Sequence, residues 1–527
     1  MSVSQRLIKS LKKHGHSLTS NLHQEIPLAL TRHIGPQIQE LFAAQWFQTA
    51  RDYFTNPPEI HILSIETKDI ELLDILSELR NYLLSDPVLL QGPEFGSTPK
   101  NDKYFSKIRG ILNKIDTRRI TRIQRRALRK YIEINPRGRL LLKGFYEQIV
   151  SQGKIAPDME LIFNPYTSLV NLAEIYAQCS EYSVVRYSVP ELGIQESRIH
   201  LYYPAKNRDE YLAQQIGDDI PHEHNMQQAW LPDALKRICF FNRLLGTKKQ
   251  PRAIHVFLAD FCKEFMHVNG KADLIFTPSE INTGVCDMTD IIITRSEESL
   301  KTLLHELIHF HSLDFKHATH DEFCAGLFNI TTEQSSFNLF EAHTECLASI
   351  LHCLTRAIPS QHPVHTAQSS NDKEFRSNFR RIFAAQIYYT MRKSAQILAT
   401  SGCDSYEEFI TPSDREKCQL SENTNVFSYF FVKAFIYLGL QDWLAGCCDP
   451  STARFIDKTN GPQNGQDMLK QIIQSGYQNR ILQKIINAEI NLAQHRSLQE
   501  HKRSAKKTQV APVALAADNS LKMVCVS

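Results

Sequence analysis

The residues best suited to chemistry lie between Ser296 and His309, a stretch that reads S-E-E-S-L-K-T-L-L-H-E-L-I-H. It holds one H-E-x-x-H, made of His305, Glu306 and His309. Helical positions four apart lie one turn apart on one face. Both imidazoles can therefore bind one Zn2+ ion while Glu306 stands beside it as general base. A catalytic zinc keeps three protein ligands and a water, so a third ligand has to come from elsewhere in the chain. The competing reading is two surface histidines on an ordinary helix, in a chain with 21 His among 527 residues.

The elements that must hold these residues are also written locally. Leu300, Leu303, Leu304, Leu307 and Ile308 recur at i, i+3, i+4, i+7 and i+8, which predicts an amphipathic helix. Ile291-Ile292-Ile293 predicts a strand leading into it, and Thr294 as N-cap with Glu297 three residues on predicts a capping box. Strand, cap and helix would then deliver the histidines from a rigid base.

Several downstream residues compete for the third ligand position. A metzincin pattern would need histidine at 315, and Phe315 excludes it. Asp314 reads as a helix-end or turn residue. His317 and His320 could supply a third imidazole after a short turn, and Glu341 lies further on, in N-L-F-E-A-H-T-E-C-L-A at 338–348.

The segment F-E-A-H-T-E resembles the N-E-x-x-S-D type segment of the gluzincins, the thermolysin-like clan. In that clan the glutamate binds zinc and the acid four residues later holds the first histidine. The resemblance implies Glu341 as third ligand and Glu345 as acceptor of the hydrogen bond from the free ring nitrogen of His305. An i, i+4 spacing puts both carboxylates on one helix face, as this needs. Phe340 stands where the family has asparagine, Glu345 is longer than the usual aspartate, and a solvated acidic pair is the plainer alternative. The N-T-G at 282–284, H-E-L-I-H-F-H-S-L-D-F at 305–315, F-E-A-H-T-E-C-L-A at 340–348 and N-T-N-V-F-S-Y-F-F-V-K at 423–433 together are similar to the metalloprotease family of large DNA viruses. The similarity spans about 270 to 440. Residues 1–180 carry no resemblance.

The implied activity is that of a zinc endopeptidase acting on a polypeptide substrate. One Zn2+, held by His305, His309 and Glu341, activates a water, and Glu306 removes its proton and passes it to the leaving amine. The oxyanion needs a further donor. Tyr429 is the first candidate, because it follows the catalytic segments within the family-like stretch, although an aromatic in an apolar helix also reads as core; His343 is the second. By analogy with gluzincins, Glu280 to Val285 would be the edge strand that aligns the peptide by main-chain pairing. The alternatives are a zinc hydrolase acting on another bond, and a non-catalytic interaction or nucleic-acid-associated protein with a structural or decayed metal site.

Composition bounds these readings. With 42% hydrophobic and 22% charged residues and a net charge of +3, the chain reads as globular and is not basic throughout. A local basic segment, 114–143, places Arg118, Arg122, Arg125, Arg126 and Arg129 at helical spacing. With no aromatic between Lys114 and Lys130 to stack on bases, a solvated face is preferred to a nucleic-acid partner. The twelve cysteines form no C-x-x-C pair and read as reduced, buried thiols of a cytoplasmic protein. The first 24 residues lack acids but have no apolar h-region, so no secretory signal is read, and a basic presequence helix is the weaker alternative. Val426 to Leu444, interrupted by Lys433 and Asp442, reads as a buried helix and not a membrane span.

The expected fold class is α+β. A mainly helical region of unknown role over 1–180, including a helix from Asp69 to Leu84, precedes a zincin-like domain over 181–495. That domain has a small mixed sheet, the active-site helix and a helical C-terminal subdomain; 496–527 is expected to be a disordered tail. Within it, runs at 182–187 and 199–203 predict a hairpin, 209–245 reads as helical, and Ile254 to Ala259 and Asp273 to Phe276 read as strands.

Overall fold

In the computed structural model the described residues are 58–69, 181–204, 230–259, 275–276, 283–286, 289–314, 321–332, 337–358, 368–411, 420–422, 425–447 and 462–504, with the isolated positions 35, 53, 179 and 418. The basic segment 114–143, the first 24 residues and both His317 and His320 lie outside them.

The fold is mixed α+β. Its main sheet is built from β1 (His61–Asp69), β2 (Glu181–Val189), β3 (Ile194–Tyr203), β4 (Ala253–Phe257), β6 (Gly284–Cys286) and β7 (Asp290–Ile293), in the order β1-β2-β3-β4-β7-β6. Pairing is antiparallel from β1 to β3, parallel from β3 through β4 to β7, and antiparallel again at the edge strand β6. The hairpin expected near 182–203 is β2 and β3, joined by a turn in which Gly193 takes φ 70°. A second sheet, in the order β5-β9-β8, joins β5 (Ile275–Phe276), β8 (Ile330–Thr332) and β9 (Leu420–Glu422).

Val185, Ile199, Leu201, Ile254, Val256, Ile291 and Ile293 alternate onto one face of the main sheet and are buried. Against that core pack α1 (Trp230–Leu245) and α2 (Ser299–Phe310). The helical layer continues with α3 (Asp321–Leu327), α4 (Leu339–Ala357), α5 (Gln368–Thr400) and α6 (Tyr406–Phe409). A π-helical turn, Phe427–Val432, then runs straight into α7 (Lys433–Leu438), followed by α8 (Leu440–Cys447), α9 (Pro462–Gly476) and α10 (Arg480–Ser504). The apolar run Val426 to Leu444 is thus helical, buried from Val426 to Tyr437 and interrupted at Gly439, and no helix among the described residues is long and apolar enough to cross a membrane.

Four expectations are corrected. Strand β1 pairs 61–69 of the N-terminal region with β2 in the main sheet, and Asp69 ends a strand where a helix was expected to start, the rest of that expected helix, 70–84, lying outside the described residues. The helix α10 runs to Ser504, past the expected start of the tail. Cys403 and Cys418 form a disulfide, while Cys179, Cys239, Cys324, Cys346 and Cys353 are free and buried as expected. The capping box is absent: Thr294 donates its hydroxyl to Thr283 O, and Glu298, in a left-handed conformation at φ 59°, occupies the N-cap position with no capping hydrogen bond from its side chain. Tertiary burial starts the helix instead. Leu303, Leu304, Leu307 and Ile308 are fully buried, each contributing on the order of 2 kcal/mol, which outweighs the roughly 1–2 kcal/mol cost of one left-handed residue.

Candidate metal centre

The centre is assembled from α2, α4 and the π-helical turn, each contributing two side chains four residues apart. His305 and Lys301 come from α2, Glu341 and Glu345 from α4, and Tyr429 and Lys433 from the turn and the first residue of α7. The upper layer holds His305, Glu341 and Tyr429, joined by His309. The lower layer holds Lys301, Glu345 and Lys433.

In the upper layer, His305 Nε2 lies 3.1 Å from His309 Nε2 and 3.3 Å from Glu341 Oε2, and His309 Nε2 lies 3.5 Å from that same oxygen. The other ring nitrogens are engaged: His305 Nδ1 lies 3.1 Å from Glu345 Oε2, and His309 Nδ1 2.8 Å from Asp314 Oδ2. Carboxylates only accept, so each Nδ1 carries the donated proton, and each ring in its neutral form has the Nε2 lone pair for a metal. The two Nε2 atoms and a carboxylate oxygen face one point, a group that could hold a cation.

The spacing fits zinc. Ligand atoms at about 2.0–2.1 Å from one ion, in tetrahedral disposition, stand about 3.3–3.4 Å apart. Glu341 thus groups with His305 and His309 as a candidate ligand set, and the set of two imidazoles and one carboxylate suits that metal. Tyr429 Oη donates to Glu341 Oε2 at 3.2 Å, and its ring packs against that of His305. Burial and the neighbouring Glu341 keep the phenol protonated, well above its ordinary range.

The contact of Glu345 with His305 was expected; the two lysines of the lower layer were not. Glu345 and Lys433 are 0% exposed, and Glu345 accepts from Lys301 Nζ at 2.8 Å, Lys433 Nζ at 3.1 Å and Ser349 Oγ at 3.2 Å. Burial would raise the Glu345 carboxyl, but the two ammonium groups hold it well below the usual carboxylate range. It therefore remains the charged acceptor that fixes the His305 ring. A lysine interrupting an otherwise apolar run, as Lys433 does, was the available signal, because such a charge has to find a buried carboxylate.

Glu306 is buried, and burial lifts its carboxyl above the ordinary range, as suits a base that must both take up and release a proton. Gly284 of β6 lies so close to α2 that a Cβ there would stand 2.6 Å from Glu306 Oε1. Part of the expected edge strand Glu280 to Val285 is thereby located: β6 covers Gly284–Cys286 and ends the sheet, while 280–282 lie outside the described residues.

Asp314 lies in the turn after α2, as read, and is also the partner of His309. His343, the second oxyanion candidate, is directed elsewhere: its Nδ1 accepts from Trp443 Nε1 at 3.2 Å and its Nε2 bonds Leu313 O at 3.2 Å, so both ring nitrogens are occupied.

No family model matches this chain, and neither a curated protein nor a solved structure matches it. The site stands on its own geometry.

Proposed function

We propose that the chain is a zinc-dependent endopeptidase with a zincin-like catalytic unit, in which His305, His309 and Glu341 hold the metal. The observation that carries this reading is the convergence of His305 Nε2, His309 Nε2 and Glu341 Oε2, with all three atoms within 4.8 Å of one another and the buried Glu306 following His305 on the same helix. A bound zinc ion supplies Lewis-acid polarisation of a water and of a substrate carbonyl. Glu306 takes the proton from the attacking water and delivers it to the leaving amine nitrogen. Tyr429 donates its phenolic proton in a hydrogen bond to the developing oxyanion, exchanging its bond to Glu341 for one that strengthens in the transition state. An extended polypeptide would run along β6, beside Glu306.

The test combines metal analysis with a peptide library. Purified protein should carry one zinc per chain and cut at defined positions, and Glu306→Gln should keep the metal while losing the cleavage. Cleavage undiminished in Glu306→Gln, or protein with no stoichiometric metal, would refute the proposal.

A further inference from the structure

The loop that follows α2 carries a second layer of organisation, and its meaning rests on the metal reading above. The helix ends in a Schellman turn: Ser312 N donates to His309 O at 2.9 Å and Leu313 N to Ile308 O at 3.1 Å. The residue that takes the left-handed conformation in such a turn is usually glycine, yet here it is Ser312 at φ 55°. A side chain held there costs about 1–2 kcal/mol and persists only where the surroundings determine the conformation.

Those surroundings are His343 and Trp443, both buried. Indole N–H can only donate, so the Trp443 bond to His343 Nδ1 fixes the tautomer and leaves the ring proton on Nε2. That proton is donated to Leu313 O. The next residue, Asp314, turns its carboxylate to His309 Nδ1. Helix α4 therefore acts twice, providing Glu341 to the candidate metal and, two residues on, pinning the turn that presents Asp314.

We propose that His343 and Trp443 form a positioning clamp that orients His309 through Leu313 and Asp314, so that affinity for zinc depends on two residues outside the ligand set. Loss of an outer partner of a metal-bound histidine typically costs about 10–100-fold in metal affinity, and Asp314→Ala is expected to fall in that range. His343→Leu should lose about tenfold, and Trp443→Phe less, because packing survives. His343→Gln, whose amide nitrogen can still donate to Leu313 O, should recover most of the affinity.

The experiment is chelator competition for zinc on the full chain, with thermal unfolding of each metal-free variant recorded beside it. The deciding comparison is the double variant: in the Asp314→Ala background, His343→Leu should cause no further loss of affinity, because the path it acts through is gone. Additive losses would overturn the clamp, as would zinc affinity unchanged in His343→Leu or a glutamine variant no better than leucine. Failure of the unsubstituted chain to bind zinc would overturn the metal reading and the clamp together, which separates the two failures.

Discussion

Gly284→Ala tests the contact between the edge strand and Glu306, the proposed general base. An alanine Cβ would meet Glu306 Oε1 and Thr302 Cγ2, each at 2.6 Å, and Glu306 Cδ at 3.0 Å. Ordinary contact begins near about 3.4 Å, so roughly 0.8 Å has to be recovered. Rotating the Glu306 carboxylate relieves one clash but leaves the Thr302 methyl, which is fixed to α2; the strand and helix must therefore part, or Glu306 must move. A displacement approaching 1 Å at a reacting group costs about 10²-fold, or about 2.7 kcal/mol of transition-state stabilisation. The expected result is kcat/KM down about a hundredfold on a peptide that the unsubstituted chain cleaves, with the fall in kcat and not in KM. Zinc content should be unchanged, because the three ligand atoms lie on α2 and α4. Activity within about threefold of the unsubstituted chain, with Glu306 confirmed as essential, would refute the argument.

Removing Glu345 strands two buried ammonium groups, so Glu345→Ala should lower the urea-unfolding free energy by at least about 3–5 kcal/mol; Lys433→Met leaves the Glu345 to Lys301 pair at 2.8 Å and should cost clearly less, so the reverse order would refute the lower-layer account. Zinc binding at pH 7 should release at least one proton, since in the metal-free site burial favours neutral His309 but Glu341 and Asp314 outweigh it and hold the ring well above its ordinary value. Calorimetric heats that do not depend on the buffer's ionisation enthalpy would contradict this. Glu422, buried and accepting from Phe427 N at 2.8 Å, is pushed up to about 8 by burial from an ordinary 4.5. Below pH 4.5 the folded and unfolded states both hold that proton; as pH rises from there to about 8 only the folded state keeps it, so stability falls through that window, by roughly 5 kcal/mol at most. Glu422→Gln, which still offers an acceptor oxygen, should raise the Tm at pH 8 more than at pH 4.5, and an equal shift at both would count against the account.

Much of the stretch that holds His305, Glu306 and His309 was legible because its signals are local. The i, i+3, i+4 stripe from Leu300 to Ile308, the four-residue spacing of the histidines and the β run at 291–293 each follow from the period of one element, and α2 and β7 form where they indicate. Glu341 is less local. Its place beside the histidines depended on a resemblance, and the packing of α4 on α2 brings it within 3.5 Å of both rings. The capping box failed for the opposite reason: Thr294 and Glu297 have the right spacing, but the helix begins only at Ser299, and Thr294 donates its hydroxyl to Thr283 O instead.

By itself the sequence determined the face on which His305, Glu306 and His309 stand, the α+β class, and the burial of Val426 to Leu444, since each depends on periodicity within about a dozen residues. Only the tertiary structure decided that Lys301 and Lys433 share one carboxylate, that β1 belongs to the main sheet, that Asp314 serves His309, and that His343 braces a turn instead of facing the site. Each of these joins elements through space, across separations as long as 88 residues for Lys433 and Glu345 and 127 for His61 and Ser188. No pattern in the sequence states which neighbour a buried charge or ring nitrogen will meet; that is set when the helices pack and every polar group left inside must find its partner.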